Sequence, residues 1–339
     1  MRFKARLRVE RASDWQRLLG VLARLDHTAV LHLTPPEDDR VEWIVLSRAV
    51  EVDLSGSRGG GAWMAMERDA WFGGYRIESQ SGHHIALEMD LGNVLRALRS
   101  VVGAHEAQVR LAKKGVPVLT VEIRTADHGH DHDGGAPAWD VVQHVPVRVM
   151  DAGRLQELRE PETEAGVYGV VMPLPARLSA AVDRMRPFAC APGQASEVRA
   201  LRLVMERSPH QPAEATFHIG VHNEALEVQA SYLRLKVATV DEPTQAARNA
   251  SHVDDGAVAG GDVERENAPD VRNATSTPPR SNTLRREAVV DARELARVLQ
   301  AHTVFSSQVF CFLFQACALF HFSSNDLEVS YYLPLRESA

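Results

Sequence analysis

The stretch Ile85–Arg124, IALEMDLGNVLRALRSVVGAHEAQVRLAKKGVPVLTVEIR, changes its hydrophobic period twice. IALEM reads as β. From Leu91 the period becomes helical: Leu91, Val94, Leu95, Leu98 and Val101 form one apolar stripe, while Arg96 and Arg99 face away from its centre. AQVRLAK and VPVLTVEIR then return to the alternation of strands with one solvated face. The unit is a strand, a helix that buries one side, and further strands.

The same plan recurs on both sides of this stretch. Towards the N-terminus, Trp15, Leu18, Leu19, Leu22 and Leu25 recur at helical spacing, with Arg17 and Arg24 on the opposite side. Further on, Leu174, Leu178, Ala181, Val182 and Met185 oppose Arg177 and Arg184, and Leu295, Val298 and Leu299 oppose Arg293 and Arg297. The segments between read as antiparallel strands, among them RFKARLRV, AVLHLT, VEWIVLS, VYGVVMP, ALRLVME, ATFHIGV, LEVQASYLRLKV and LEVSYYLP. An α+β fold of two similar domains is expected, each with two strand–helix–strands units. The boundaries are residues 1–150, a charged connector at 151–165 that contains Pro161, and residues 166–339. Residues 242–286 have almost no aromatic or large aliphatic content and are expected to form a disordered insertion.

Composition narrows the function. The 339 residues carry 38 basic against 45 acidic side chains, a net charge of −7, which excludes a uniformly basic nucleic-acid binder but not a local basic surface on an acidic body. Cys190, Cys311 and Cys317 are too few and odd in number for a disulfide framework, which fits a reducing compartment. The start, MRFKARLRVE, has no apolar core, so no export signal is expected. The most apolar run, VFCFLFQACALFHF, is shorter than the ~20 residues of a membrane helix. It reads as two core strands around a tight turn.

The stretch DHGHDHDGG, Asp127–Gly135, offers ligand types for a metal, but its His and Asp alternate beside glycines and mark a solvated turn. His83 and His84 read as turn residues before a strand. The Gly59-Gly60-Gly61 run leads into a strand, so it presents no helix terminus to a phosphate. Cys311 and Cys317 lie in the apolar run as small hydrophobes. No Walker loop, G-x-G-x-x-G or G-x-S-x-G is present. No catalytic residue, cofactor or metal is therefore expected; a metal-dependent hydrolase built on Asp127–Asp133 is the alternative from another class. Pro146, in VVQHVPVRVM, lacks the N–H that a central ladder needs and suits an edge strand.

MRFKARL, IALEMDLGNVLRALRS followed by VPVLTVEI, and QHVPVRVMDAGRLQELREP resemble the Hus-type subunit of the nine-one-one checkpoint clamp. So do VVMPLPARLSAAVDRMR, VVDARELARVLQAH and LEVSYYLPL, and together they span nearly the whole chain outside residues 242–286. The resemblance implies a sliding-clamp fold, related to proliferating cell nuclear antigen, with the helices on the inner face of a continuous outer antiparallel sheet layer. It implies a non-catalytic, nuclear subunit of a heterotrimeric ring with Rad-nine-like and Rad-one-like partners. A clamp loader would place the ring on duplex DNA, where it would serve checkpoint signalling and repair enzymes. The eight arginines would face the DNA. Val145, Pro146, Val147 and Val149 on one edge, and Tyr232, Leu233 and Leu235 on the other, would form the subunit interfaces. A homotrimeric processivity clamp shares the fold and remains the nearer alternative.

Overall fold

The computed structural model describes residues 1–46, 60–79, 82–125, 140–158, 160–161, 167–173, 175–189, 200–208, 210–223, 226–239, 284–300, 308–324 and 326–336. Up to the connector the order is β1 (Arg2–Leu7), α1 (Ala12–Leu22), β2 (Thr28–Leu33), β3 (Arg40–Leu46), β4 (Gly61–Glu67), α2 (Arg68–Trp71) and β5 (Phe72–Glu78). There follow β6 (Ile85–Asp90), α3 (Leu91–Val101), β7 (Glu106–Lys114), β8 (Val116–Arg124), β9 (Val141–Val149) and the short α4 (Ala152–Glu157). Beyond it come β10 (Tyr168–Val171), α5 (Pro175–Met185), β11 (Ala200–Arg207), β12 (Glu214–Asn223) and β13 (Leu226–Thr239). The last are β14 (Leu284–Asp291), α6 (Ala292–Leu299), β15 (Gln308–Leu313), β16 (Cys317–Ser324) and β17 (Leu327–Pro334).

All 17 strands join in one antiparallel sheet. Followed from neighbour to neighbour, it runs β5, β1, β7, β8, β9, β6, β2, β3, β4, then β17, β16, β15, β10, β13, β12, β11, β14. The two halves of the chain meet where β4 pairs with β17, from Met66 opposite Leu327 to Gly61 opposite Tyr332. Two ion pairs reinforce that joint: Arg40 Nη1 lies 3.0 Å from Glu328 Oε2, and Arg11 pairs with Asp326 while stacking 4.3 Å from the Trp71 ring centroid.

The helices pack in pairs, α1 with α3 and α5 with α6. Their apolar stripes face the sheet. On α1, Trp15 meets Trp43, Trp71 and Phe72 edge to face, with centroids 5.4–6.1 Å apart. On α6, Leu295, Val298 and Leu299 are fully buried. In each half one strand ends on an aspartate that starts the following helix: Asp90 Oδ1 accepts from Asn93 N at 2.8 Å, and Asp291 Oδ1 from Arg293 N at 2.7 Å. Such caps contribute about 1 kcal/mol each.

Val309–Phe322 forms β15 and β16 around a turn at Gln315, as its pattern requires. No helix among the described residues is long and apolar enough to cross a membrane. One expectation is corrected at its end: residues 242–283 of the expected insertion lie outside the described residues, whereas Leu284–Arg286 belong to β14, laddered on β11. From the connector, Leu155 and Leu158 pack against Val30, Ile44, Ala86 and Met150 on the sheet.

Candidate functional site: arginine faces and open sheet edges

Burial of one stripe on each helix leaves the arginines outside. Arg17, Arg24, Arg96, Arg99, Arg177, Arg184 and Arg293 are exposed, and Arg297 is half-exposed. Two of them are engaged locally: Arg24 donates to Gln300 Oε1, and Arg297 Nη1 donates to Glu294 Oε1 at 2.7 Å. Arg24, just past the end of α1, thereby links to the residue that follows α6. A cleft of about 750 Å³ opens there, lined by Arg24, His27, Arg186, Arg293 and Arg297. It brings Arg24, Arg293 and Arg297 together and adds Arg186, which the sequence reading missed because it lies in the 3-10 turn after α5. Asp26 and Glu294 are the acids among them; burial pushes the Glu294 carboxyl up, Arg297 draws it down, and Asp291 pushes it up again. Four arginines against two carboxylates leave the lining of the cleft net positive.

Among the described residues β5 and β14 end the sheet, laddered on β1 and β11 alone, and two strands within it, β9 and β13, are open over part of their length. Val141–Pro146 of β9 ladders on β8 alone among the described residues, while Val147–Val149 pairs with β6. The free backbone is therefore the first part of β9. Val145 and Val147 point into the core, at 2% and 8% exposure, and Val149 is half-buried. Pro146 is exposed, and so are Val141 and Val142. On β13, Leu226–Lys236 ladders on β12 alone, and Val237–Thr239 turns to β10. Leu233 is 67% exposed beside a bulge where Arg234 takes φ 56°, and Tyr232 and Leu235 are half-buried. Bulges of this kind are common at sheet edges and re-aim the side chains they carry.

The stretch Asp127–Gly135, Gly59, Leu174 and Cys190 lie outside the described residues. Among the described residues no group of three or more His, Cys, Asp or Glu side chains is arranged to hold a metal. His83 sits in a turn at φ 63°. Cys311 is fully buried, and burial alone pushes its thiol up, out of reactive range.

The family model described as Hus1-like protein matches residues 1–337. The chain is 23% identical over 190 residues to "Checkpoint protein HUS1" of Homo sapiens, an alignment covering 55% of this chain and 62% of that protein. It is 21% identical over 338 residues to "Checkpoint protein hus1 homolog" of Dictyostelium discoideum, covering 99% and 98%. Among solved structures, PCNA from Thermococcus kodakaraensis superposes with a TM-score of 0.52 at 15% identity, covering 98% of this chain and all of that one (100%). A. fulgidus PCNA, solved with the C-terminal region of FEN-1 bound, gives 0.54 at 12% identity, covering 99% of each chain. The fold is that of the sliding clamps.

Proposed function

The chain belongs to the Hus1-like protein family, and from that premise we propose that it is a non-catalytic subunit of a heterotrimeric DNA sliding clamp of the DNA-damage checkpoint. Residues 1–150 and 166–339 are its two clamp domains and 151–165 the connector. The ring encircles duplex DNA in the nucleus, is placed there by a clamp loader, and presents its outer surface to checkpoint and repair proteins.

The observation that carries this reading is the repeat itself. β4 is the third strand after α1, and β13 is the third after α5; β9 is the third after α3, and β17 the third after α6. Within the chain, β4 and β17 are joined. Their repeat counterparts, β13 and β9, are open over most of their length. A neighbouring subunit that offers the missing strand would make between chains the joint that β4–β17 makes inside one, satisfying the free N–H and C=O groups. Head-to-tail contacts of this kind form a ring when the rotation between neighbours closes. The helices, with Arg17, Arg24, Arg96, Arg99, Arg177, Arg184, Arg293 and Arg297, then line the hole.

The resemblance to nine-one-one clamps favours unlike neighbours, Rad-nine-like and Rad-one-like. Co-expression with such partners, followed by mass determination of the purified complex, tests it. One copy of each is expected. A trimer of this chain alone would instead establish the homotrimeric clamp, and no assembly under either condition would overturn the ring.

A further inference from the structure

The sheet face away from the helices carries, in the first half of the chain, a charge pattern that the second half lacks. On β1, Phe3, Ala5 and Leu7 are buried in the core, so Arg2, Lys4 and Arg6 stand on the opposite face. Lys4 lies directly opposite Arg76 on β5 and Arg110 on β7, and the row continues through Thr120 to His144. Three cations thus sit side by side on three neighbouring strands with no carboxylate in the row. Like charges placed opposite one another destabilise a sheet. The fold itself does not ask for them. In the second half, β10 before α5 and β15 after α6 hold the places of β1 and β7, and there Gly169 faces Phe312 and Val171 faces Phe310.

Ion pairing leaves this row uncovered. On either side of Lys4 along β1, Arg2 is drawn to Glu78 at 3.9 Å and Arg6 to Glu106 at 3.5 Å. Arg110 commits its Nε to Glu122 Oε1 at 2.7 Å, while Glu122 Oε2 accepts from Gln108 Nε2 at 3.0 Å. That buried carboxylate is filled, and among the described residues the Arg110 Nη groups have no partner. Lys4 and Arg76 are exposed, and neither has an ion pair among the described residues. The uncompensated charge is therefore confined to a row about 10 Å across at ordinary strand spacing.

That extent selects the ligand. A nucleic-acid strand offers a track of phosphates and bases that stack on exposed rings. Here Glu78 and Glu106 flank the row, and Phe3, Phe72 and Tyr75 pack into or against the core. A carboxylate brings one charge and two oxygens, too little for three cations. A phosphorylated side chain brings nearly two negative charges and three acceptor oxygens to one point.

We propose that Arg76, Lys4 and Arg110 receive the phosphate of a phosphorylated serine or threonine in a partner segment. The two guanidinium groups approach from the outer strands of the three and the ammonium from between them. The like-charge contacts of the empty row become shared contacts to one anion. The site belongs to the single chain and lies on the face away from the arginine-bearing helices, so it stands or falls separately from the ring and its channel.

Ala112 follows Arg110 on the same face of β7 and gives the readout. The full chain, labelled at its alanine methyls, is titrated by NMR with a five-residue peptide, acetyl-Ala-Ala-phosphoserine-Ala-Ala amide, with its serine and glutamate counterparts, and with a single-stranded oligonucleotide. The phosphopeptide is expected to shift the Ala112 methyl saturably and to bind roughly ten-fold more tightly than the glutamate peptide, the serine peptide giving no saturable shift. Its affinity should fall as pH drops below ~6, where the phosphate loses its second charge. Lys4→Gln with Arg76→Gln should lower the affinity at least ten-fold, while Arg2→Gln, outside the row, should leave it within two-fold. Equal binding of the phosphoserine and glutamate peptides, no saturable shift at Ala112, or tighter binding of the oligonucleotide there overturns the proposal. A folded Lys4→Gln, Arg76→Gln chain that binds the phosphopeptide as the parent does overturns it as well.

Discussion

Gly169 on β10 lies opposite Phe312 on β15, and the Phe312 ring occupies the space into which a side chain at 169 would project. A β-carbon there would also sit 2.7 Å from Cys311 O, so the backbone of β15 limits any shift of the ring. Gly169→Ala should destabilise the fold by about 1–3 kcal/mol through overpacking. Gly73, in β5, has no atom within 4 Å of the added carbon and is the control. Thermal melts of the two variants check this; equal midpoints would show that the ring yields freely.

His321 gives a pH signature. Burial first, and the nearby Arg40 guanidinium second, hold its pKa down at about 4 against an ordinary 6.5. The folded chain therefore binds this proton later than the unfolded one as pH falls. Above 6.5 the group has no effect; between 6.5 and about 4 stability is lost, in total about 3 kcal/mol. His321→Gln should remove this part of the acid limb. Chemical denaturation of both proteins across that window reads the difference, and parallel curves would contradict it.

Much of this fold was legible because amphipathic helices announce themselves: the stripe Leu91–Val101 and the arginines opposite it keep their places in the structure. What was missed depends on tertiary partners. β14 begins with Leu-Arg-Arg-Glu, which reads as charged linker until β11 supplies Arg202 for Glu287 and Glu206 for Arg285. Helix α4 is only Ala152–Glu157, too short to stand on periodicity, and the packing of Leu155 on the sheet holds it. The pairing of His32 with Glu42 was invisible because strand register is not written in either strand. Alternation told that Val145 and Val147 share a face; it could not tell that this face is the core.

That last point changes how the edges are to be tested. Val142 and Leu233 are exposed on the open parts of β9 and β13. Val142→Asp or Leu233→Asp should weaken association with partner subunits while moving the stability of the lone chain by no more than ~0.5 kcal/mol. Val147→Asp places a carboxylate in the core and should cost about 3 kcal/mol or more. Co-elution with partners and a melt of the isolated subunit separate these effects. Normal assembly of both surface variants would put the interfaces elsewhere.

The arginines make the most specific prediction, because the structure ranks them. Arg24 and Arg297 already hold Gln300 and Glu294, so each must give up a partner to meet a phosphate. Arg96 and Arg99 on α3, and Arg177 and Arg184 on α5, are exposed, and none has an ion pair among the described residues. A clamp has to slide, so contacts should go to phosphates and be indifferent to base sequence. Each phosphate neutralised contributes roughly 0.9 to the slope of log K against log salt. Replacing Arg96 and Arg99 by Ala, or Arg177 and Arg184, should flatten that slope by up to ~2 units, and Arg297→Ala by less than a full contact. Arg186→Ala should also weaken binding, since it lines the cleft with Arg293. The measurement is DNA binding by the assembled ring over a salt series, on two duplexes of unrelated sequence. If the pair variants assemble and keep both affinity and slope, the helices do not line the channel; if the slope differs between the two duplexes, the contacts reach beyond the phosphates.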